Sequence, residues 1–125
     1  MGIEYLQNLH LFGLEIIKDY SSKLIEFQSS KPDQVPELPI MELINDDFLK
    51  HDWSSSSLIL ANSTCFSQEL MLALSKKADE LRPGTFFVTF TKKLPELSDN
   101  WTICDGFRRL MSWGIATVYI HKKIS

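Results

Sequence analysis

Residues 58–90 leave this chain few folds to choose from. An apolar tetrad, LILA (58–61), runs through small polar residues into a helical pattern with Leu70, Met71, Leu74, Ala78 and Leu81 on one face. Ser67 is placed to cap that helix and Pro83-Gly84 to stop it. A second apolar run, TFFVTF (85–90), follows. Continuous apolar strands are those covered on both faces, and two of them joined by a helix pair in parallel. The segment predicts a parallel strand–helix–strand unit.

The rest of the chain extends this pattern. GIEYL (2–6) ends a short strand, and Leu6, Leu9, Gly13, Ile16, Ile17, Tyr20, Leu24 and Phe27 fall on one helical stripe over 6–28. Residues 29–39 hold three prolines and form a loop, because proline removes donors and breaks both periodicities. IMELI (40–44) is a strand followed by an acidic turn, NDDF; WTIC (101–104) and ATVYIH (116–121) are two more strands. There are no internal repeats, and the serine run at 54–57 is too short to link domains. The expectation is one α/β domain over residues 1–125 with a Rossmann-like, mostly parallel sheet.

Composition excludes several classes. A chain 44% hydrophobic and 11% aromatic is globular rather than disordered. A net charge of −3 argues against strong direct binding to nucleic acid or to an anionic membrane. Two cysteines make no disulfide framework and fit a reducing compartment. The apolar runs are too short for a membrane span, and the N-terminus lacks a basic-then-apolar signal, so an intracellular protein is expected.

In largely parallel sheets ligands bind beyond the carboxyl ends of the strands. Glu4, Asp47 and Asn62 stand at three such ends and are expected to form one polar rim. An acid in the position of Glu4 accepts hydrogen bonds from ribose hydroxyls in nucleotide-binding units. Asp47 offers an acceptor to an adenine amine and Phe48 a face to its ring. Against this, on charge alone both acids read more readily as ordinary solvated loop residues. Asn62 carries a donor and an acceptor for an amine or a carboxylate, or else closes an Asx-turn. Cys65 precedes a helix N-terminus, which lowers a thiol pKa, but none of His10, His51 and His121 is placed by sequence as its base; a buried structural cysteine is the plainer reading. The histidines show no metal-ligand spacing with Cys65 or Cys104, so no metal site is read. The doublets Lys76-Lys77, Lys92-Lys93, Arg108-Arg109 and Lys122-Lys123 are basic faces open to solvent or to an acidic partner.

Taken in order, GIEYL, NDDFLKHDW with LILANSTCF, and MSWGIATVYIHKK resemble the class I S-adenosylmethionine-dependent methyltransferases. Within them they are most similar to the Dot-one (disruptor of telomeric silencing) histone lysine methyltransferases. The resemblance implies that Glu4 holds the cofactor ribose, Asp47 and Phe48 the adenine, and that Asn62 sits beside the methyl donor. Phe66 and Trp113 would wall the channel for the target lysine. Where that family has Asn-Asn-Phe-Ala-Phe this chain has Asn62-Ser63-Thr64-Cys65-Phe66. The resemblance further implies S-adenosylmethionine as cofactor, a histone in the nucleosome as substrate, and the nucleus as location.

The same resemblance points to a gap. The Gly-rich turn that holds the methionine end of such a cofactor lies about 20 residues before the ribose acid. This chain has no Gly-x-Gly-x-x-Gly. It is therefore expected to be the C-terminal part of a catalytic domain, without the first, central strand and its loop, and to need an N-terminal companion segment. The strands ending at Glu4 and Asn62 would lose their shared neighbour, leaving edges that close on each other, recruit another chain or aggregate. A non-catalytic methyltransferase-like scaffold and a thiol enzyme using Cys65 are the alternatives.

Overall fold

The computed structural model describes residues 1–35 and 37–125; Pro36, in the expected proline loop, lies outside the described residues. The chain forms two compact units, Met1–His51 and Asp52–Ser125.

The first unit contains β1 (Gly2–Glu4), α1 (Gln7–Ser30) and β2 (Leu43–Asn45), with β1 and β2 parallel and Glu4 opposite Asn45. The helix keeps the expected limits within two residues, but its stripe is turned. His10, Gly13, Ile17, Ser21, Leu24 and Gln28 are the half-buried positions, while Leu6, Leu9, Ile16, Tyr20 and Phe27 are exposed and no helix residue is buried. The reason lies at Gly13: a Cβ there would come 2.5 Å from Leu43 Cδ2, so the helix rests on β2 through its glycine. The second strand begins at Leu43 rather than Ile40, which is 95% exposed. A strand exists only where a partner does, and β1 offers three residues.

The second unit carries β3 (Leu58–Ala61), α2 (Gln68–Ala78), β4 (Phe86–Phe90), β5 (Trp101–Met111) and β6 (Gly114–Lys123). Its sheet has the order β3-β4-β6-β5. The strand–helix–strand unit is as expected: β3 and β4 are parallel, and the Ser67 hydroxyl accepts the Leu70 N–H to cap α2. The sheet is not mostly parallel. β6 runs antiparallel to both β4 and β5, so the protein has two parallel and two antiparallel pairs. A two-residue hairpin, Ser112-Trp113, forces this, because so short a connection can only join antiparallel strands. β5 also runs seven residues past WTIC, through the polar stretch DGFRR, with a bulge between Ile103 and Asp105.

The expected double burial of TFFVTF is corrected as well. Phe87 and Thr89 are fully buried, whereas Phe86 on the other face is 38% exposed. One face alone packs. The core of this unit is Phe87 with Trp53, whose rings meet edge-on at 6.1 Å, and Met71, Leu74, Ala78 and Leu81. At the far end of α2, Asp79 Oδ1 accepts from Trp101 Nε1 (2.8 Å), Ser98 Oγ (3.1 Å) and the buried Lys123 Nζ (3.3 Å). These donors and the lysine's charge outweigh desolvation, the largest single influence, and lower the Asp79 pKa.

β1 is hydrogen-bonded to β2 alone and β3 to β4 alone, in separate sheets. On β3, Leu58 and Leu60 are 65% and 66% exposed.

Candidate functional site

The residues expected at the rim belong to both units, Glu4, Asp47 and Phe48 to the first and Asn62, Phe66 and Trp113 to the second. In the first, Glu4 closes β1 and Asp47 stands two residues beyond β2, at the same end of a parallel pair. Asn45 locks that end: its Nδ2 donates to the Glu4 carbonyl (2.9 Å) and the Tyr5 carbonyl (3.1 Å). Neither acid is a plain solvated one. Glu4 Oε1 accepts the Leu6 N–H (2.9 Å) where α1 has no side-chain cap of its own. Asp47 Oδ1 accepts the Leu49 N–H (2.9 Å), and its carbonyl accepts from Lys50 and His51. Asp46, which the sequence left without a role, braces the turn; its carboxylate takes the Asp47 N–H (2.8 Å) and pairs with His51 Nδ1 (3.1 Å). The Asp47 amide, then His51, lower the Asp46 pKa. Phe48 is half-buried in this turn.

The second part is the carboxyl end of β3 and β4. Ser63 is fully buried, and its hydroxyl donates to the Phe90 carbonyl (2.8 Å) while accepting the Phe90 N–H (3.1 Å). One side chain thus adds a rung to the ladder after the backbone has left it. Thr64 Oγ1 lies 3.2 Å from Thr91 Oγ1, and Lys92 Nζ donates to the Phe66 carbonyl. Asn62 stands apart from these tethers. It is exposed and, among the described residues, makes no hydrogen bond, so the Asx-turn reading is not realised. The run of small polar residues after LILA therefore divides its work: Ser63 and Thr64 hold the loop, and Asn62 presents an amide with nothing attached.

Trp113 stands at this same end. The antiparallel register places Val118 opposite Phe90, so β6 residues from Gly114 and the hairpin carrying Trp113 project beyond the end of β4. Trp113 is 55% exposed and Phe66 half-buried. A hollow of about 80 Å³ is lined by Leu24, Leu38 and Met41, and an open one of about 440 Å³ by Arg108, Arg109, Leu110 and Ile115 on the hairpin that carries Trp113.

Cys65 is exposed, which corrects the reading of a buried structural thiol. No histidine is bonded to it: His51 pairs with Asp46, and both ring nitrogens of His121 are engaged in the core. Among the described residues no group of three or more His, Cys, Asp or Glu is arranged to hold a metal ion, and no helix is long and apolar enough to cross a membrane. Sequence reasoning missed Ser63, Asn45 and Thr91. Their signal would have been a small polar residue at a strand end, which is shared by every turn.

Comparison with known proteins bears on the fold. A candidate methylase of known structure from Haemophilus influenzae aligns with 98% of this chain at a TM-score of 0.55 and 17% identity, the chain spanning 71% of that protein. The chain therefore shares an α/β fold with that protein and has, among the described residues, mixed sheets and two helices. No protein-family model matches the chain, and no curated protein matches it in sequence.

Proposed function

We propose that this chain is the acceptor-side part of an S-adenosylmethionine-dependent lysine N-methyltransferase acting on a histone in the nucleus. The observation that carries the reading is Asn62: an exposed, unpartnered amide at the carboxyl end of a parallel strand, on a loop fixed by Ser63, Thr64 and Phe66. A methyltransferase-like fold and the resemblance of the surrounding residues support it.

The chemistry asked of the protein is modest. S-adenosylmethionine supplies a methyl group already activated on sulfonium, so no nucleophilic side chain or metal is needed. What remains is to align a neutral amine in line with the methyl and to exclude water. Asn62 has the acceptor to orient the amine's N–H and the donor to hold a carboxylate. Trp113 and Phe66 supply apolar walls. Glu4 and Asp47, each with one oxygen taken by a backbone N–H, would receive the ribose hydroxyls and the adenine amine, with Phe48 beside the ring.

The chain has no close-approach glycine turn for the methionine end of the cofactor. Alone it is expected to bind S-adenosylmethionine weakly and to leave the reacting methyl unfixed; about 1 Å of misplacement costs roughly a hundredfold in rate. Isothermal titration of residues 1–125, with and without an added segment bearing a strand and Gly-rich turn, tests this. Gain of cofactor binding and of methyl transfer to nucleosomes only with the segment supports the reading. Tight binding by the monomeric chain alone would overturn the dependence, and no binding in either form would favour a non-catalytic scaffold.

A further inference from the structure

Residues 91–96 form a turn that should not lie flat unaided. Thr91 has φ +68° and Glu96 φ +50°, a region that non-glycine residues avoid and that is most costly for a β-branched side chain. The Lys92 N–H reaches back to the Phe90 carbonyl at 2.7 Å across Thr91, the rarer and strained form of three-residue turn. Hydrogen bonds must hold it. Thr91 N–H donates to the Thr117 carbonyl (2.7 Å), Thr89 Oγ1 to the Lys92 carbonyl (2.6 Å), and Leu94 N–H to Nε2 of His121 (3.2 Å).

The last of these is unlike the others, because its acceptor titrates. His121 is fully buried, and its Nδ1 lies 3.0 Å from the Phe87 carbonyl, which can only accept. Nδ1 therefore carries the proton and Nε2 the lone pair. A second proton on Nε2 would set one N–H against another and remove the bond to Leu94, itself 3% exposed. The surroundings offer the imidazolium no counter-charge. Strands β4 and β5 oppose it with Phe87 and Ile103, the buried face of α2 is Met71, Leu74, Ser75 and Ala78, and Tyr119 tilts at 6.5 Å. The turn itself carries Lys92, Lys93 and Glu96, and of these Lys93 is the one that acts on the ring, with the wrong sign.

We propose that His121 pins a latch on the candidate loop. With the imidazole neutral, residues 91–96 are held down and in turn hold residues 62–66 through Ser63–Phe90, Thr64–Thr91 and Lys92–Phe66. In mildly acid solution the ring takes up a proton, the pin is lost, and the strained turn rises and frees the loop that carries Asn62. The catalytic meaning of that motion rests on the function proposed above; the latch itself does not. Burial, with Lys93 adding and Phe87 opposing, keeps the His121 pKa below its usual 6.5. The latch is then shut at neutral pH and opens only below that value.

Amide hydrogen exchange on residues 1–125, corrected for intrinsic rates, tests the latch between about pH 7.5 and about pH 5. Protection at Leu94, Phe66 and Phe90 should fall by up to about tenfold per pH unit once pH passes below the ordinary imidazole value, levelling off at the lowered one. Amides of α2, from Met71 to Ala78, should keep theirs. Unchanged protection at Leu94 would overturn the proposal. So would loss of α2 protection at the same pH, since that is acid unfolding. His121→Leu should leave the three latch amides open, independent of pH. If that variant does not fold, the ring's own carbon-13 titration in the wild type decides: a midpoint that differs from that of the Leu94 amide removes His121 as the pin.

Discussion

The two units meet the same problem in opposite ways. Among the described residues every buried one lies in Asp52–Ser125 and none in Met1–His51, although the helix there is 24 residues long and its Leu9, Phe12, Ile16 and Tyr20 are each more than half exposed. The second unit closes locally. Its β5–β6 hairpin and the antiparallel β4–β6 pair give it a four-stranded frame over which α2 can bury a face. The first unit rests on a three-residue parallel pair. Parallel sheets are stable when covered on both faces, and two short strands with one helix cannot supply that. Local closure, not hydrophobicity, separates the two.

The comparison can be broken by mutation. Phe87→Ala removes the ring at the centre of the second unit and should cost about 3–5 kcal/mol by denaturant melting. A loss below about 1 kcal/mol would mean that this core is not the one that holds the protein. Asp79→Ala comes next: it leaves the Lys123 ammonium, whose side chain is 5% exposed, on the residue-79 carbonyl (3.1 Å) without the carboxylate, and leaves Trp101 Nε1 without its acceptor. About 2 kcal/mol is expected, discounted because the carboxylate itself is 44% exposed. Its pH dependence has a definite sign. The Asp79 pKa is depressed in the folded state, so its contribution is complete above the ordinary carboxylate range and fades as pH falls through the lowered value. If Asp79→Ala changes stability at neutral pH and at about pH 2 by the same amount, the ion pair is not the cause.

Neighbours on one loop should then part company. Ser63→Ala removes both bonds to Phe90 and should cost about 1–3 kcal/mol, since it orphans a buried donor and acceptor. Asn62→Ala, exposed and unbonded, should stay within about 0.5 kcal/mol in melting. In the chain supplied with the added strand and Gly-rich segment, it should nonetheless lose methyl transfer far more heavily than it loses stability. Equal losses of melting temperature and activity at Asn62 would remove its proposed role. The smallest effect is expected at Leu60→Lys. It should leave melting unchanged within about 0.5 kcal/mol, yet reduce self-association seen by sedimentation, because β3 has an apolar, uncharged free edge. An unaltered sedimentation profile would show that this edge recruits nothing.

Much of this was legible in the chain. LILA was read residue for residue, α2 with its Ser67 cap closely, and α1 to within two residues, because caps, stops and helical periodicity are local signals. β5 was not, since DGFRR lies on an edge strand with both faces wet and carries no alternation to read. The apolar stripe of α1 was misplaced because amphipathicity says how wide a face is, while the close approach at Gly13 decides which part of it rests on β2. Asn62 was picked out beside its structural alternative, and only the hydrogen bonds separated it from Ser63.

By itself, then, the sequence determined the local elements, the strand–helix–strand unit, and the small polar run at the end of LILA. It did so because capping, chain stiffness and apolar periodicity act over a few residues. Tertiary structure decided the mixed direction of the sheet, the rung that Ser63 adds, and the His121 contact that holds the turn. Those depend on which backbone group stands opposite which side chain across 27 residues or more, from Ser63 to Phe90 or from Leu94 to His121. Such pairings are fixed by register, which no local signal carries.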